Sequence, residues 1–283
     1  MSIQVSQLLS TRARSIGSIF SVKSIDFSAL SESGLPVFVV DDFRVSGQPF
    51  GPHPHAGFSA VTYVFEDSRS GLRSRDSLGN DIVVGPGGIV WTQAGRGALH
   101  EEVPATEGRE LHGLQIFVNL HARNKHVEPR VMHLDGGDVP EWRGAEGNRV
   151  RVAVGSHGGV TSPLQPAEPF NLLDVDLRHP LWFGLPAGHG ALVYVVQGEV
   201  LLRSGAREQR IPQGHAIALA GDGRDVSLES TFGARLFILS GPEVREPMVT
   251  NGPFVMNDKA QLKDAALRYQ AGEMGALDPI GAG

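Results

Sequence analysis

Short apolar runs alternate with turn residues through most of the chain. Clear examples are residues 35–43, 58–66, 111–120 and 234–241, which are rich in Val, Leu, Ile and Phe. Gly, Pro, Asn and Asp cluster between such runs. Apolar runs of this length, bounded by turn residues, are typical of the strands of a β-sandwich or β-barrel. The pattern therefore predicts an all-β protein built from many short strands.

The two halves of the chain share a weak repeat. VTYVFEDSRSG at 61–71 resembles LVYVVQGEVLL at 192–202, and VVGPGGIVWTQAG at 83–95 resembles RIPQGHAIALAG at 210–221. A length of 283 residues is also comfortable for two domains of ordinary size. We place the first domain at residues 1–134 and the second at 145–283, with the linker inside the polar stretch 121–145.

One helix is predicted, near the end of the second domain. Asn257 or Asp258 can cap its start, and Gly272 stands where a helix commonly ends. Its apolar face is formed by Leu262, Ala265, Ala266 and Tyr269. This face must pack on another part of the protein.

Composition narrows the function. The chain has 25 Lys and Arg against 31 Asp and Glu, a net charge of −6, and no basic run, so direct nucleic-acid binding is not expected. It has no cysteine, which leaves His and carboxylates as the ligands of any metal. The sequence has neither a secretory signal pattern nor a run of about 20 apolar residues, so we expect a cytoplasmic protein without membrane contact.

The strongest chemical signal is His53-Pro54-His55. Alternate residues of an extended strand project to one face, which suits two imidazoles that converge on one ion. Pro54 favours an extended backbone at His53. Taken alone, the pair is also compatible with two ordinary histidines in a loop.

A second pair, His100 and Glu102, has the same spacing and lies in an extended stretch that ends before Pro104. Glu101, between them, should face the other way. Three histidines and one carboxylate suit a single divalent metal, with room for two further ligands. We expect Fe(II), one per chain, for which Zn, Ni, Mn or Co could substitute. The eight other histidines form no matching pair, so the second domain is expected to hold no metal.

Four segments resemble the pirin family of bicupins: PHPHAGFSAVTYVFE at 52–66, PGGIVWTQAGRGALHEEVP at 86–104, HGLQIFVNL at 112–120 and EPMVTNGPFVMND at 246–258. The resemblance runs from about residue 20 to 274. It implies two cupin barrels of the jelly-roll type, with one iron in the first barrel. The family's ligands correspond to His53, His55, His100 and Glu102, the set that the spacing also indicates.

One position departs from the family pattern. Pirins commonly carry an acidic residue four positions after the second histidine, and here that position is Ser59. If Ser59 faced the ion, the metal's redox potential would change with the loss of that acid.

The resemblance leaves two main functions open. Some pirins resemble dioxygenases that cleave flavonols such as quercetin, which implies a small aromatic substrate, O2, and Glu102 as the catalytic base. Phe50, Phe58 and Trp91 are then candidates for the apolar walls of a substrate pocket. Other pirins look like redox-sensitive regulators that bind a partner protein. A purely structural metal site is a third possibility.

Overall fold

The structure is a computed structural model that describes residues 3–30, 34–221 and 223–280. Within these ranges it contains twenty-six strands and one α-helix, besides three short 3-10 helices. The first thirteen strands are β1 Gln4–Val5, β2 Leu9–Ile16, β3 Phe20–Ile25, β4 Val37–Val45, β5 His53–His55, β6 Phe58–Val64, β7 Leu72–Asp76, β8 Asp81–Val84, β9 Ile89–Gln93, β10 Ala98–Pro104, β11 Leu111–Asn119, β12 Arg130–Leu134 and β13 Glu141–Arg143.

The remaining elements continue the all-β pattern to the terminal helix. They are β14 Arg149–Val154, β15 Ser156–His157, β16 Val160–Thr161, β17 Asn171–Leu177, β18 Leu181–Leu185, β19 His189–Gln197, β20 Glu199–Ser204, β21 Arg207–Pro212, β22 His215–Ala220, β23 Arg224–Glu229, β24 Ala234–Pro242, β25 Val249–Asn251, β26 Phe254–Met256 and α1 Lys259–Gln270. The prediction of an all-β protein with one terminal helix is confirmed.

The chain forms two compact units, each assembled from separate stretches of sequence. The first unit contains Ala13–Lys23, Phe38–Asp138 and Glu246–Gly283, and the second contains Met1–Arg12, Ser24–Val37 and Val139–Arg245. The division at 138/139 lies inside the polar stretch expected to be a linker, although β12 and β13 are ordered strands there. The compact units differ from the predicted ranges 1–134 and 145–283 because segments from both termini pack with the other half of the sequence.

Each unit has the same strand order. In the first unit a sheet runs β12-β9-β6-β11-β4, and a second sheet runs β5-β10-β7-β8. In the second unit the corresponding orders are β22-β19-β24-β17 and β18-β23-β20-β21. Two sheets that enclose an apolar interior form the expected jelly-roll barrel. The shared order supports the duplication that the sequence repeat indicates.

The interior of each unit is lined by alternate residues of its strands. In the first unit Val64, Leu72, Val84 and Val90 meet between the two sheets. In the second unit the interior is formed by residues such as Leu173, Val193, Val226 and Ile238. Since successive side chains of a strand face opposite sides, these contacts establish which residues point inward.

Helix α1 belongs to the first unit. The side chain of Asp258 caps its start by accepting a hydrogen bond from the Gln261 backbone N–H at 2.8 Å. Leu262 and Ala265 of its apolar face pack against Ala56 and Leu99. None of the helices in the described ranges has the length and hydropathy of a membrane-spanning segment.

Candidate metal centre

Strands β5 and β10 position the four residues singled out by the sequence. The strands are antiparallel, with His53 opposite His100 and His55 opposite Ala98. His53 and His55 share a face of β5, and His100 and Glu102 share a face of β10, because side chains alternate along a strand. The pairing thus brings both sequence motifs to one side of the same sheet.

The three histidines converge. Their ring centroids lie 4.6 to 4.8 Å apart, and their ligand atoms all lie within 4.8 Å of one another. The Nε2 atoms of His53 and His100 are separated by 3.1 Å. Two imidazole nitrogens bound at right angles to one ion, each about 2.1 Å from it, would be about 3 Å apart. His53, His55 and His100 therefore form a three-histidine cluster that can hold a metal ion.

Hydrogen bonding prepares the histidines for this role. The Nδ1 atom of His53 lies 3.0 Å from the carbonyl oxygen of Gly51, to which it can donate, leaving the Nε2 lone pair free for the cluster. The Nδ1 atoms of His55 and His100 are buried and make no hydrogen bond of standard geometry with the described residues, although an interaction with the Pro253 backbone raises the pKa of His55 slightly. The Nε2 atoms of His53 and His100, which face each other, are thus left to bind an ion.

Burial keeps two of the histidines uncharged. Desolvation, with a smaller contribution from the charge of His53, lowers the pKa of His55 to about 3. Desolvation likewise holds the pKa of His100 well below its usual range. Neutral imidazole is the form that binds metals, so these two ligands need not lose a proton at neutral pH.

Glu102 points into the same barrel and is held by Thr62 on the opposite sheet. The Thr62 hydroxyl lies 2.6 Å from Oε2 of Glu102 and 3.0 Å from Oε1 of Gln115. Gln115 in turn donates through Nε2 to the Val61 carbonyl at 3.1 Å, which fixes its amide orientation. Desolvation raises the pKa of Glu102 to about 7. The carboxyl can therefore exchange a proton near neutral pH.

Thr62 and Gln115 were not predicted from the sequence. Only the alternation along β6, which puts Thr62 on the same face as Phe58, was visible in the sequence, whereas the pairing of Thr62 with Gln115 comes from the structure. Finding them required the strand register, which the repeat alone does not supply. Metal ligation by Glu102 stays a prediction, since its described contact is with Thr62.

Aromatic side chains border the histidines. Phe58 and Phe117 lie 5.0 and 5.5 Å from His55, measured between ring centroids. Phe117 was not singled out by the sequence. Of the other predicted wall residues, Phe50 packs on Phe20 with half of its surface exposed. Trp91 has the opposite parity to Val90, which lies in the barrel interior, so Trp91 faces away from it.

Glu101 faces away from the cluster, as its position in the strand predicts. Its buried carboxylate accepts hydrogen bonds from the Gln48 side chain and from the Ile280 backbone N–H, the latter at 3.1 Å. It also pairs with Arg75 at 3.4 Å. Glu101 therefore joins strand β10 to neighbouring segments of the first unit.

Ser59 lies on the wrong side of its strand to contact a metal in the cluster. Phe58 and Ala60 pack with Phe117 inside the barrel, and Thr62 reaches Glu102. Ser59 has the opposite parity and therefore faces outward. It is fully buried there, with its hydroxyl lacking a hydrogen-bond partner within the described ranges. The concern that Ser59 removes an acidic group beside the ion does not apply to this geometry.

The corresponding positions of the second unit are apolar. Strand β18 occupies the place of β5, and its inward residues are Leu181, Phe183 and Leu185. Strand β23 occupies the place of β10 and contributes Val226 and Leu228 to the interior. His189, one of the histidines outside the metal motif, begins β19. The two units thus have barrels of the same topology but differ in the chemistry of the barrel interior.

Two barrels of this topology, one with converging histidines, define a bicupin. The family model described as pirin matches residues 10–118, and the model described as pirin C-terminal cupin domain matches residues 173–275. Pirin of Rattus norvegicus is 32% identical over 246 residues, which cover 85% of this chain and 82% of that protein. The chain belongs to the pirin family.

Other comparisons link the chain to proteins named for an activity or a metal. A Pseudomonas aeruginosa protein named "Putative quercetin 2,3-dioxygenase" is 35% identical over 244 residues, covering 82% of this chain and 81% of that protein. The crystal structure of a quercetin 2,3-dioxygenase from Acinetobacter baumannii matches with a TM-score of 0.85 and 24% identity, covering 98% and 100% of the two chains.

A bacterial pirin from Escherichia coli, solved in complex with nickel(II), also shares the fold. It matches with a TM-score of 0.65 and 19% identity, covering 85% of this chain and 100% of that one. At this identity the match shows the fold alone.

Proposed function

We propose that this pirin is an Fe(II)-dependent dioxygenase that opens the ring of flavonols such as quercetin. The observation that carries the proposal is the three-histidine cluster with a carboxyl of raised pKa in the same barrel. The similarity to a relative named for quercetin dioxygenation supports the choice of substrate class.

His53, His55 and His100 would hold the metal, with Glu102 as the fourth ligand or as the base beside it. Iron bound there supplies Lewis acidity toward the substrate hydroxyl and a redox-active centre for O2. Imidazole and carboxylate ligands also suit Zn, Ni, Mn and Co, so these metals can substitute in the site.

Glu102 would accept the proton of the flavonol 3-hydroxyl. A base works best when its pKa lies near the working pH, and burial raises the pKa of Glu102 to about 7. The hydrogen bond from Thr62 holds Oε2 in place, while Gln115 limits the orientations of the Thr62 hydroxyl. Thr62 and Gln115 would thus orient the carboxyl and adjust its basicity.

Phe58 and Phe117 would contact the flat rings of the substrate. Both are aromatic, lie within 5.5 Å of His55 between ring centroids, and contact each other at 4.7 Å. The overall reaction consumes one O2 and releases one carbon monoxide, because C3 leaves with its own oxygen and both atoms of O2 are kept in the ring-opened ester. The flavonol supplies the electrons, so the reaction needs no external reductant.

The test is anaerobic loading with Fe(II), followed by measurement of O2 uptake and carbon monoxide release with quercetin. A flavone that lacks the 3-hydroxyl is the matched substrate control, and His100→Ala is the matched protein control. We expect gas exchange only with the flavonol and the wild-type site. If neither gas changes above the metal-free protein across several flavonols, the dioxygenase proposal fails and the partner-binding regulator takes its place.

A further inference from the structure

Lys125 is fully buried in the first unit, which is unusual for a lysine. Its ammonium donates hydrogen bonds to three oxygens: the carbonyl of Gly57 at 2.9 Å, Oδ1 of Asn119 at 2.7 Å and the carbonyl of Val255 at 3.1 Å. An ammonium has three donors, so all of them are used. Burial lowers the pKa of Lys125 to about 8, which leaves it charged at neutral pH.

The three oxygens belong to segments that are distant in sequence. Gly57 lies in the turn between β5 and β6, two residues after His55, while Asn119 ends β11 and Val255 is the middle residue of β26. Burying a cation costs free energy that hydrogen bonds to neutral dipoles only partly offset. The charge of Glu246 offsets part of this cost, and an apolar side chain at position 125 would leave all three oxygens without this donor.

Strand β26 is joined directly to the residues that follow His55. The Val255 N–H donates to the Ala56 carbonyl at 3.0 Å, and Ala56 forms a parallel bridge with Phe254. A β-carbon on Gly57 would lie 1.8 Å from the Val255 carbonyl oxygen, so only glycine permits this approach. The Gly57 and Val255 carbonyl oxygens both accept from the Lys125 ammonium, which therefore joins the turn after His55 to β26.

We propose that Lys125 is a positioning residue of the metal centre, which locks the turn after His55 against β26 and thereby sets the orientation of the His55 ring. Strand β26, near the C-terminal end of the chain, then supports the metal site, although none of the four predicted ligands comes from it. This inference rests on the proposed metal centre. It assigns to Lys125 an effect on metal binding, beyond an effect on folding.

The test compares Lys125→Met with Lys263→Met in the full chain. Methionine keeps much of the length of lysine and removes the charge. Lys263 is exposed on α1, so Lys263→Met makes the same substitution without disturbing a buried contact. The probe is Co(II), whose affinity is measured against a chelator and whose visible spectrum reports the arrangement of its ligands. We expect Lys125→Met to weaken Co(II) binding about 10- to 100-fold and to alter the spectrum. Lys263→Met should match the wild type within about twofold.

Asn119→Ala provides a milder test if Lys125→Met fails to fold. It removes one of the three acceptors and should weaken Co(II) binding by a smaller factor, about 3- to 10-fold. An unchanged affinity and spectrum in the folded variants, even with a lower melting temperature, would overturn the positioning role. A wild type that binds no Co(II) would overturn both this inference and the metal centre, which separates the two failures.

Discussion

The carboxylates of Glu101 and Glu102 lie on opposite faces of strand β10, although the residues are adjacent in the chain. Glu102 meets Thr62 inside the barrel, whereas Glu101 meets Arg75 and the Ile280 backbone on the other side. The alternation of the strand thus separates two chemically identical groups into different roles. One carboxyl lies inside the barrel on the face of β10 that carries His100, and the other stabilises the unit.

Neutralising each carboxylate should therefore affect a different property of the protein. Glu102→Gln is expected to weaken metal binding about tenfold or more, with little loss of stability. Glu101→Gln should leave metal affinity nearly unchanged and lower the free energy of unfolding by about 1–3 kcal/mol, because the buried ion pair with Arg75 is lost. Metal titration and thermal unfolding of the two variants measure these effects. Equal losses of metal affinity would contradict the assignment.

Metal affinity should rise with pH around neutrality. Burial raises the pKa of Glu102 to about 7 in the metal-free protein, so the group holds its proton below that pH and must release it to bind a cation. Since the pKa of His55 is lowered to about 3, that ring adds no pH dependence in this range. We expect affinity to increase about tenfold between about pH 6 and about pH 8.

The raised pKa of Glu102 should make the stability of the metal-free protein fall as the pH rises, whereas metal affinity rises. A carboxyl whose pKa is higher in the folded than in the unfolded state stabilises the fold when protonated. This contribution is present below the ordinary value of 4.5 and is lost as the pH rises toward about 7. Glu102→Gln, followed by metal titration and by unfolding of the metal-free protein, should remove both dependences. A variant that keeps the wild-type pH profile would show that another group titrates.

Introducing an acid at Ser59 should not improve the site. Ser59 is fully buried on the outward face of β6, so Ser59→Glu places an unpaired carboxyl there. We expect a loss of about 3 kcal/mol or more in the free energy of unfolding and no gain in O2 uptake with quercetin. Ser59→Ala is the control for loss of the hydroxyl. Higher activity in a fully stable Ser59→Glu protein would show that position 59 faces the metal.

Gly57→Ala should disrupt the turn that follows His55. The backbone there has φ +85°, and a β-carbon would lie 1.8 Å from the Val255 carbonyl oxygen. Gly79 is a matched control, because its φ is +93° and nothing lies within 4 Å of an added β-carbon. Gly57→Ala should therefore lower the melting temperature well beyond Gly79→Ala and reduce metal affinity as well. Similar values for the two variants would argue against a tight approach of β26.

Local patterns predicted the features that depend on neighbouring residues. The alternation around His53, His55 and His100 gave the cluster, and the capping residue Asp258 and the stop at Gly272 gave the helix. Each of these signals comes from strand or helix geometry within a few residues. The histidine cluster and the ends of the helix in the structure therefore agree with the prediction.

Contacts between strands that are far apart in sequence could not be predicted from local patterns. The face of Ser59, the contact of Glu102 with Thr62 and the contact of Lys125 with Val255 all depend on the register between strands far apart in sequence. The packing of α1 against the first unit depends on the same long-range contacts. Sequence spacing alone cannot fix which segments meet across a barrel.

The metal centre is tested most directly by comparing the metal content of the wild type with that of the double variant His53→Ala, His55→Ala. Anaerobic titration with Fe(II), followed by elemental analysis after removal of free metal, should give about one equivalent per wild-type chain. The double variant should retain almost none, while thermal unfolding shows that it is folded. A folded double variant that still holds one equivalent, or a wild type that holds none, would contradict a metal centre built on the three-histidine cluster.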